Sequence, residues 1–318
     1  MTLPLSVQTT PLLVGLGPEE AFRRIAEAGF TAVDLNINDF ANCAYVGDPA
    51  SGESIFDRED AEVLDFFAGI GEKLAAAGLR AGQCHAPFPN GRQEAGGALL
   101  TPHRLRLTQL SVAIAERIGC PCVVVHPGFR TVEDYDHDSA AQAQAREEND
   151  RLFLSLLPAL EHTCVQVAVE NMRGRIPGRP GHVAVPCSHA REMISWIDRW
   201  NEHAGREAFC ACLDTGHAVL TGDDPAGMAR ALGHRLRVLH LHDSAPGADR
   251  HSPPFDGTCP WDDLCAALGE IGYSGTLNFE TGAFIGARPE GLRDAALAFL
   301  FATGQYLNGR IAAPKEQI

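Results

Sequence analysis

Long apolar runs are missing from this chain. No stretch approaches the roughly eighteen consecutive apolar residues that a membrane-spanning helix needs, so no transmembrane segment is expected. Met1 to Thr10 lack a basic stretch followed by an apolar core, so no secretory signal is expected there. Positive charge is scarce: 26 Lys and Arg stand against 41 Asp and Glu, a net charge of −15. That balance argues against a surface built for nonspecific polyanion binding. Ten cysteines occur, but no C-x-x-C pair, which excludes zinc-ribbon and thioredoxin-type motifs. Most lie within apolar runs, among them Cys84, Cys122, Cys164, Cys210 and Cys212, where a free thiol behaves as a small hydrophobe. Reduced thiols in a cytoplasmic protein are the expectation. No Pro-, Gly- and Ser-rich boundary divides the chain, so residues 1–318 are expected to form one domain.

What the chain does contain is an alternation of strand and helix patterns from end to end. Strands are predicted over 3–8, 31–36, 79–85, 122–126, 165–170, 209–214, 236–242 and 276–280. Helices are predicted over 18–28, 57–77, from 102 to just before Gly119, 139–162, 188–205, a short one from 225, 260–271 and 289–306. Pro18 and Gly29 bracket the first of these in the usual order, proline early and glycine just past the end. Asp57, Thr101 and Ser188 are candidate caps. Strand–helix units repeated in this way predict a single parallel (β/α)8 TIM barrel.

Strand parity supports the barrel, because successive side chains point to opposite faces. Val165, Val167 and Val169 share one face, and Ala168 and Glu170 the other. Phe209, Ala211 and Leu213 oppose Cys210, Cys212 and Asp214. Large apolar sets would pack on the helices, and small or polar sets would line the barrel. Only the strand at 79–85 is irregular, since Arg80 falls on the outward parity. The long loops, 38–56, 87–100, 127–138, 171–187 and 243–260, all follow strands. Barrel active sites form at that end.

Six of the strand patterns end on a metal-ligating or acidic side chain: His85, His126, Glu170, Asp214, His240 and Glu280. In a parallel barrel all six emerge at one rim. Glu170, Asp214, His240 and Glu280 form the core proposal. Three carboxylates and an imidazole suit a divalent ion of the Mn, Mg, Co or Zn kind. Without a cation, such clustered acids would repel one another. In Asp214-Thr215-Gly216-His217, a glycine turn after the strand would bring His217 back toward the same centre. His85 and His126 are placed to bind substrate or further metal. Arg250, in Asp249-Arg250-His251, is a candidate for holding substrate oxygens. Arg173, Arg175 and Arg179 lie among glycines in a loop that could close on a phosphate or carboxylate.

These motifs resemble the xylose isomerase-like barrel superfamily, in the branch shared by sugar phosphate isomerases/epimerases and endonuclease IV. The most specific pieces are Glu170-Asn171, Asp214-Thr215-Gly216-His217, His240-Leu241-His242-Asp243 and Glu280. For the ketose 3-epimerases of this group, the resemblance implies one divalent ion on Glu170, Asp214, His240 and Glu280. It implies proton exchange through an enediolate by Glu170 and Glu280, and substrate contacts from His217 and Arg250. For the nuclease branch it implies a three-zinc site on His85, His126, Glu170, Asp214, His217, His240, Asp249, His251 and Glu280. All nine residue types are present. Two features favour the isomerases. The loop 38–56 carries Asp39, Asp48 and Glu53 but no Lys or Arg to grip DNA phosphates, and the tract from His251 through Pro253, Pro254 and Gly257 to Trp261 looks more isomerase-like. The expectation is a metal-dependent isomerase or epimerase of a sugar, sugar phosphate or polyol. The alternatives are an inosose-type dehydratase and an endonuclease IV-like multi-zinc phosphodiesterase. A small carbohydrate is the expected partner, with no nucleic acid and no membrane; a homo-oligomer stays open.

Overall fold

The computed structural model describes residues 2–41, 54–87, 101–245 and 247–312. The barrel strands are β1 (Leu5–Gln8), β2 (Ala32–Asn36), β3 (Arg80–His85), β4 (Cys122–Val125), β5 (Gln166–Glu170), β6 (Phe209–Asp214) and β7 (Leu236–His240). After β7 comes an antiparallel pair, β8 (Asp243–Ala245) and β9 (Ala248–Ser252), and then the last barrel strand, β10 (Leu277–Phe279). The eight barrel strands are parallel and run in chain order, with β10 paired to β1. Leu241, just past β7, completes the ring: its N–H donates to Asn278 O at 2.8 Å, and it accepts from Glu280 N at 3.1 Å. The chain is thus a single (β/α)8 TIM barrel.

Helices α1 (Thr10–Leu16), α2 (Pro18–Glu27), α3 (Asp60–Ala76), α4 (Pro102–Arg117), α5 (Ser139–Leu154) and α6 (Leu157–Leu160) accompany the first half. Helices α7 (Ala190–Ala204), α8 (Thr215–Thr221), α9 (Pro225–Leu232), α10 (Trp261–Glu270), α11 (Gly282–Gly286) and α12 (Glu290–Ala312) accompany the second. The main core lies between strands and helices, where Phe153 stacks on Trp200 at 4.3 Å and Trp200 meets Phe209. A separate cluster of Cys122, Val124, Ala168, Cys210, Cys212 and Val238 fills the barrel interior. Inner positions are small because facing strands leave little room, and the polar ends of the same strands stand above them. Among the described residues no helix is long and apolar enough to cross a membrane, and all nine cysteines among them are free thiols.

Several boundaries differ from the sequence expectation for local reasons. The helix expected over 139–162 breaks into α5 and α6, because Pro158 sits in the first turn of α6 and has no N–H to continue α5. Asp57 does not cap α3. It closes a capping box with Ser54 around a 3-10 turn, and Glu59 precedes α3. Ser188 does not cap α7 either: its hydroxyl accepts from Val185 N and donates to Met172 O, pinning the preceding loop. The parity anomaly at Arg80 is a bulge. Ala32 pairs with Arg80 but Asp34 with Gln83, so one extra residue reverses the parity and puts Arg80 in register with inward positions. Asp48 and Glu53, used to weigh the loop 38–56, lie outside the described residues.

Candidate metal centre

The strand ends deliver their side chains to one rim. Glu170, Asp214, His240 and Glu280 offer ligand atoms that all lie within 4.8 Å of one another. Every one of these residues is buried: Asp214 and His240 are 0% exposed, Glu170 1% and Glu280 8%. His240 Nδ1 is 3.5 Å from Glu170 Oε1 and 3.4 Å from Glu280 Oε2. Among the described residues three further groups adjoin, one of them Cys212 with Glu170 and His240. His85 and His126 share Glu170, with His126 Nε2 3.0 Å and His85 Nε2 3.4 Å from Glu170 Oε2. His217, His242, Asp249 and His251 form the third group.

Backbone carbonyls set the tautomers of three imidazoles. His85 Nδ1 donates to Ala86 O at 2.8 Å, His217 Nδ1 to Asn171 O at 2.9 Å and His251 Nδ1 to Glu280 O at 2.9 Å. A carbonyl can only accept, so each Nδ1 carries a proton, and Nε2 offers its lone pair whenever the ring is neutral. Those Nε2 atoms face carboxylates or one another: His85 Nε2 lies 3.0 Å from His126 Nε2, and His251 Nε2 lies 3.4 Å from Asp249 Oδ1.

Electrostatics show how unsettled the centre is without a cation. Burial alone would raise the Glu170 carboxyl, but the His126 and His240 imidazoles outweigh it and hold it well below the usual range. Burial pushes Glu280 up, only partly offset by His240 and His251. Burial opposes charge on His217 and His251, yet Asp214 and Glu170 raise the first to about 9, and Glu280 and Asp249 raise the second to about 10. Glu170 Oε2, Glu280 Oε2, Asp249 Oδ1, His242 Nδ1 and both nitrogens of His240 are buried without a hydrogen-bond partner. Buried polar atoms left bare cost stability. Lone pairs converging from carboxylates and imidazoles are what a divalent cation needs, so the residues present fit a metal.

A supporting layer was not anticipated. Asp34, fully buried on β2, lies 3.4 Å from His240 Nε2 and accepts from Gln83 Nε2 at 3.1 Å and Asn278 Nδ2 at 3.0 Å. Its inward position on the strand was a usable signal. Asn171 clamps the end of β6, accepting from Asp214 N at 2.6 Å and donating to Asp214 O at 2.9 Å. Asp214 caps α8 through His217 N at 2.7 Å and pairs with His242 Nε2 at 2.9 Å. Gly216 therefore does not form the expected turn. It lies inside α8, and its missing side chain leaves room for the His242 ring, whose Cε1 would sit 2.0 Å from a Cβ there. Asp243 organises the tract after β9, accepting from Ser244 N, Phe255 N, Cys259 N and Trp261 Nε1.

Arg250 is not brought into this group. It is exposed, whereas its neighbours Asp249 and His251 turn toward the centre. Among the described residues, Arg173 does reach the rim, where its Nε donates to Asp249 at 2.9 Å, and Arg104 donates to His126 O at 3.2 Å. Arg179 is drawn off to Glu133.

Comparison with known proteins agrees with this architecture. Residues 22–302 match the family described as Xylose isomerase-like TIM barrel. Uncharacterized protein y4fM of Sinorhizobium fredii is 27% identical over 288 residues, covering 81% of this chain and 78% of that protein. A D-tagatose 3-epimerase-like protein superposes with a TM-score of 0.69 at 17% identity, covering 98% of this chain and all of that one. D-psicose 3-epimerase gives 0.68 at 14%, covering 97% of this chain and 100% of that one. An AP endonuclease, family 2, from Brucella melitensis gives 0.64 at 19%, covering 95% and 99%. At such identities the structural likeness is one of fold.

Proposed function

The chain belongs to the xylose isomerase-like TIM barrel family, and on that premise we propose that it is a divalent-metal-dependent isomerase or epimerase of a small carbohydrate or polyol. The observation that carries this reading is the buried convergence of Glu170, Asp214, His240 and Glu280, with lone pairs left bare. These four side chains would hold the ion. Bound there, a Mn, Mg, Co or Zn ion would supply Lewis acidity to a substrate carbonyl. The resemblance to ketose and keto-glycoside epimerases among solved structures supports a sugar as substrate.

Within this reading the chain's own residues move a proton. One of Glu170 and Glu280 takes it from the carbon beside the carbonyl, and the other returns it from the opposite side. Their environments already separate them: the imidazoles around Glu170 keep it ionised, whereas burial favours the protonated form of Glu280. Environments that pull two carboxyls apart suit an acid and a base. His85 and His126 present Nε2 toward Glu170, and His217 presents Nε2 toward Asp249; these imidazoles would orient substrate oxygens. An inosose-type dehydration would start from the same proton abstraction.

The test is NMR in heavy water with a panel of ketoses and inososes. A substrate should exchange its α-hydrogen with solvent. Glu170→Gln and Glu280→Gln should each lower that exchange by about 10²–10⁴-fold. Conversion without solvent exchange would sink the proton-transfer reading.

A second reading rests on a specific observation. The groups His85–His126–Glu170 and His217–Asp249–His251 flank the central one and are joined to it through Glu170 and Asp214. Such a row of ligand groups suits a multi-zinc phosphodiesterase of the endonuclease IV kind. Incision of abasic duplex DNA at physiological salt would promote that reading; on the acidic balance of the chain we expect none.

A further inference from the structure

We propose that Arg173, Arg175 and His182 form an oxyanion pocket beside the metal centre, and that the substrate is a carbohydrate bearing a phosphate monoester. The inference rests on the carbohydrate reading of the barrel mouth and narrows its substrate class. It starts from the backbone of the loop after β5. Gly174 N donates to Val183 O at 2.8 Å, and Val183 N to Gly174 O at 3.1 Å, so the segment doubles back as a short antiparallel clamp. The bridged pair faces the protein body. A Cβ on Gly174 would lie 2.4 Å from Val185 Cγ1 and 3.1 Å from both Thr131 Cγ2 and Val183 Cγ2. Side chains alternate along extended backbone. Arg173 and Arg175, either side of Gly174, and His182, next to Val183, therefore face the other way. There they line a cavity of about 430 Å³ together with Gly247, Ala248 and Asp249.

Asp249 connects this cavity to the centre, because it also belongs to the ligand group with His217, His242 and His251. Among the described residues it is the one carboxylate on the cavity wall, and its charge is already countered. Arg173 Nε donates to it at 2.9 Å, and His251 Nε2 lies 3.4 Å from its other oxygen. The Arg175 guanidinium has no partner among the described residues. His182 Nδ1 is buried and likewise unpartnered. With Arg173 paired to Asp249, the Arg175 guanidinium and the His182 imidazole are left uncommitted beside a countered carboxylate, on a protein whose net charge is −15. A local excess of donors on an acidic surface selects an anion at that spot. Guanidinium forks match phosphate and carboxylate oxygens alike. Three separate donors around one cavity suit the larger number of oxygens on a phosphate.

The experiment is calorimetric titration of the protein as purified with inorganic phosphate and, separately, acetate at constant ionic strength, using wild type, Arg175→Gln and His182→Gln. Arg175 is exposed and belongs to none of the candidate metal-ligand groups, so its loss leaves both the fold and any metal-borne phosphate binding in place; an unchanged melting temperature verifies the first. We expect phosphate to bind wild type more tightly than acetate, and phosphate affinity to fall about tenfold or more in Arg175→Gln, the scale of one lost charge-assisted hydrogen bond. No phosphate binding, or equal affinity in wild type and Arg175→Gln, overturns the pocket. Acetate binding at least as tight as phosphate and equally dependent on Arg175 overturns the phosphate assignment in favour of a carboxylated sugar. The outcome is separable from the reading beneath it. Solvent exchange on a ketose by a protein that shows no Arg175-dependent phosphate binding sinks this inference alone, whereas Arg175-dependent phosphate binding by a protein that binds no metal sinks the other alone.

Discussion

Replacing Gly216 by Ala sets two physical effects against each other. Gly216 lies in helix α8, and helix propensity alone predicts that Ala would stabilise it by about 1 kcal/mol. Sterics predict the reverse. The new Cβ would lie 2.0, 2.4 and 2.8 Å from Cε1, Nδ1 and Nε2 of His242. That ring has nowhere to go: it is fully buried, stacked on His251 at 4.0 Å and 9°, and paired with Asp214 at 2.9 Å. Overpacking of a filled site typically costs about 1–3 kcal/mol, and the broken pair adds to it, so sterics win. The shift of His242 also frees Asp214, a central ligand candidate. Losing a partner that orients a ligand typically costs about 10–100-fold in metal affinity. The assay is thermal melting of wild type and Gly216→Ala, each with chelator and with added manganese or zinc. The variant should melt lower with chelator present and gain less from metal. A metal-free variant melting at or above wild type would refute the steric argument.

Three further outcomes follow from named contacts. Asp34→Asn removes the carboxylate beneath His240 Nε2; metal affinity, read by competition with a chelating dye, should fall about 10–100-fold with circular dichroism unchanged, and equal affinity would dismiss Asp34 as a positioning residue. His189 is raised to about 9, mainly by its hydrogen bond to Asp223 and further by Asp136. A folded value above the unfolded value of about 6.5 stabilises below pH 6.5, and this contribution is lost as pH rises through about 9. Wild type should therefore melt above His189→Gln at about pH 6 and level with it at about pH 10, and a gap that widens with pH would contradict this pairing. The charged state of His217 and His251 in the metal-free centre implies that metal binding near neutral pH releases protons, measurable as a buffer-dependent binding heat; its absence would place the metal elsewhere.

The barrel was legible because parity and strand endings are local and repeat. Val167 against Ala168, or Leu213 against Cys212, announces which face meets the helices. What stayed hidden depends on contacts between residues distant in sequence, or on a single inserted residue. The odd parity of Arg80 and the glycine at Gly82 hint at a slip, but only the pairing with β2 shows that the register shifts before Gln83. Gly216 reads as a turn residue in sequence. Only the approach of His242, from just past the end of the neighbouring strand β7, reveals it as a cleared space within a helix. Asn171 and Asp34 serve the centre through Asp214 and His240, which no spacing rule connects to them. That Arg173 rather than Arg250 lies beside Asp249 was likewise beyond the sequence, because it turns on which way the β8–β9 hairpin and the Gly174 clamp present their side chains.

The central claim is that Glu170, Asp214, His240 and Glu280 hold a divalent cation that the chemistry requires. Metal analysis of protein purified without chelator tests it most directly. The account predicts about one tightly held divalent ion per chain, lost together with solvent exchange in His240→Ala. About three zinc ions per chain would move the protein toward the phosphodiesterase reading. A folded wild-type protein that neither carries nor takes up a stoichiometric divalent ion would contradict the account outright.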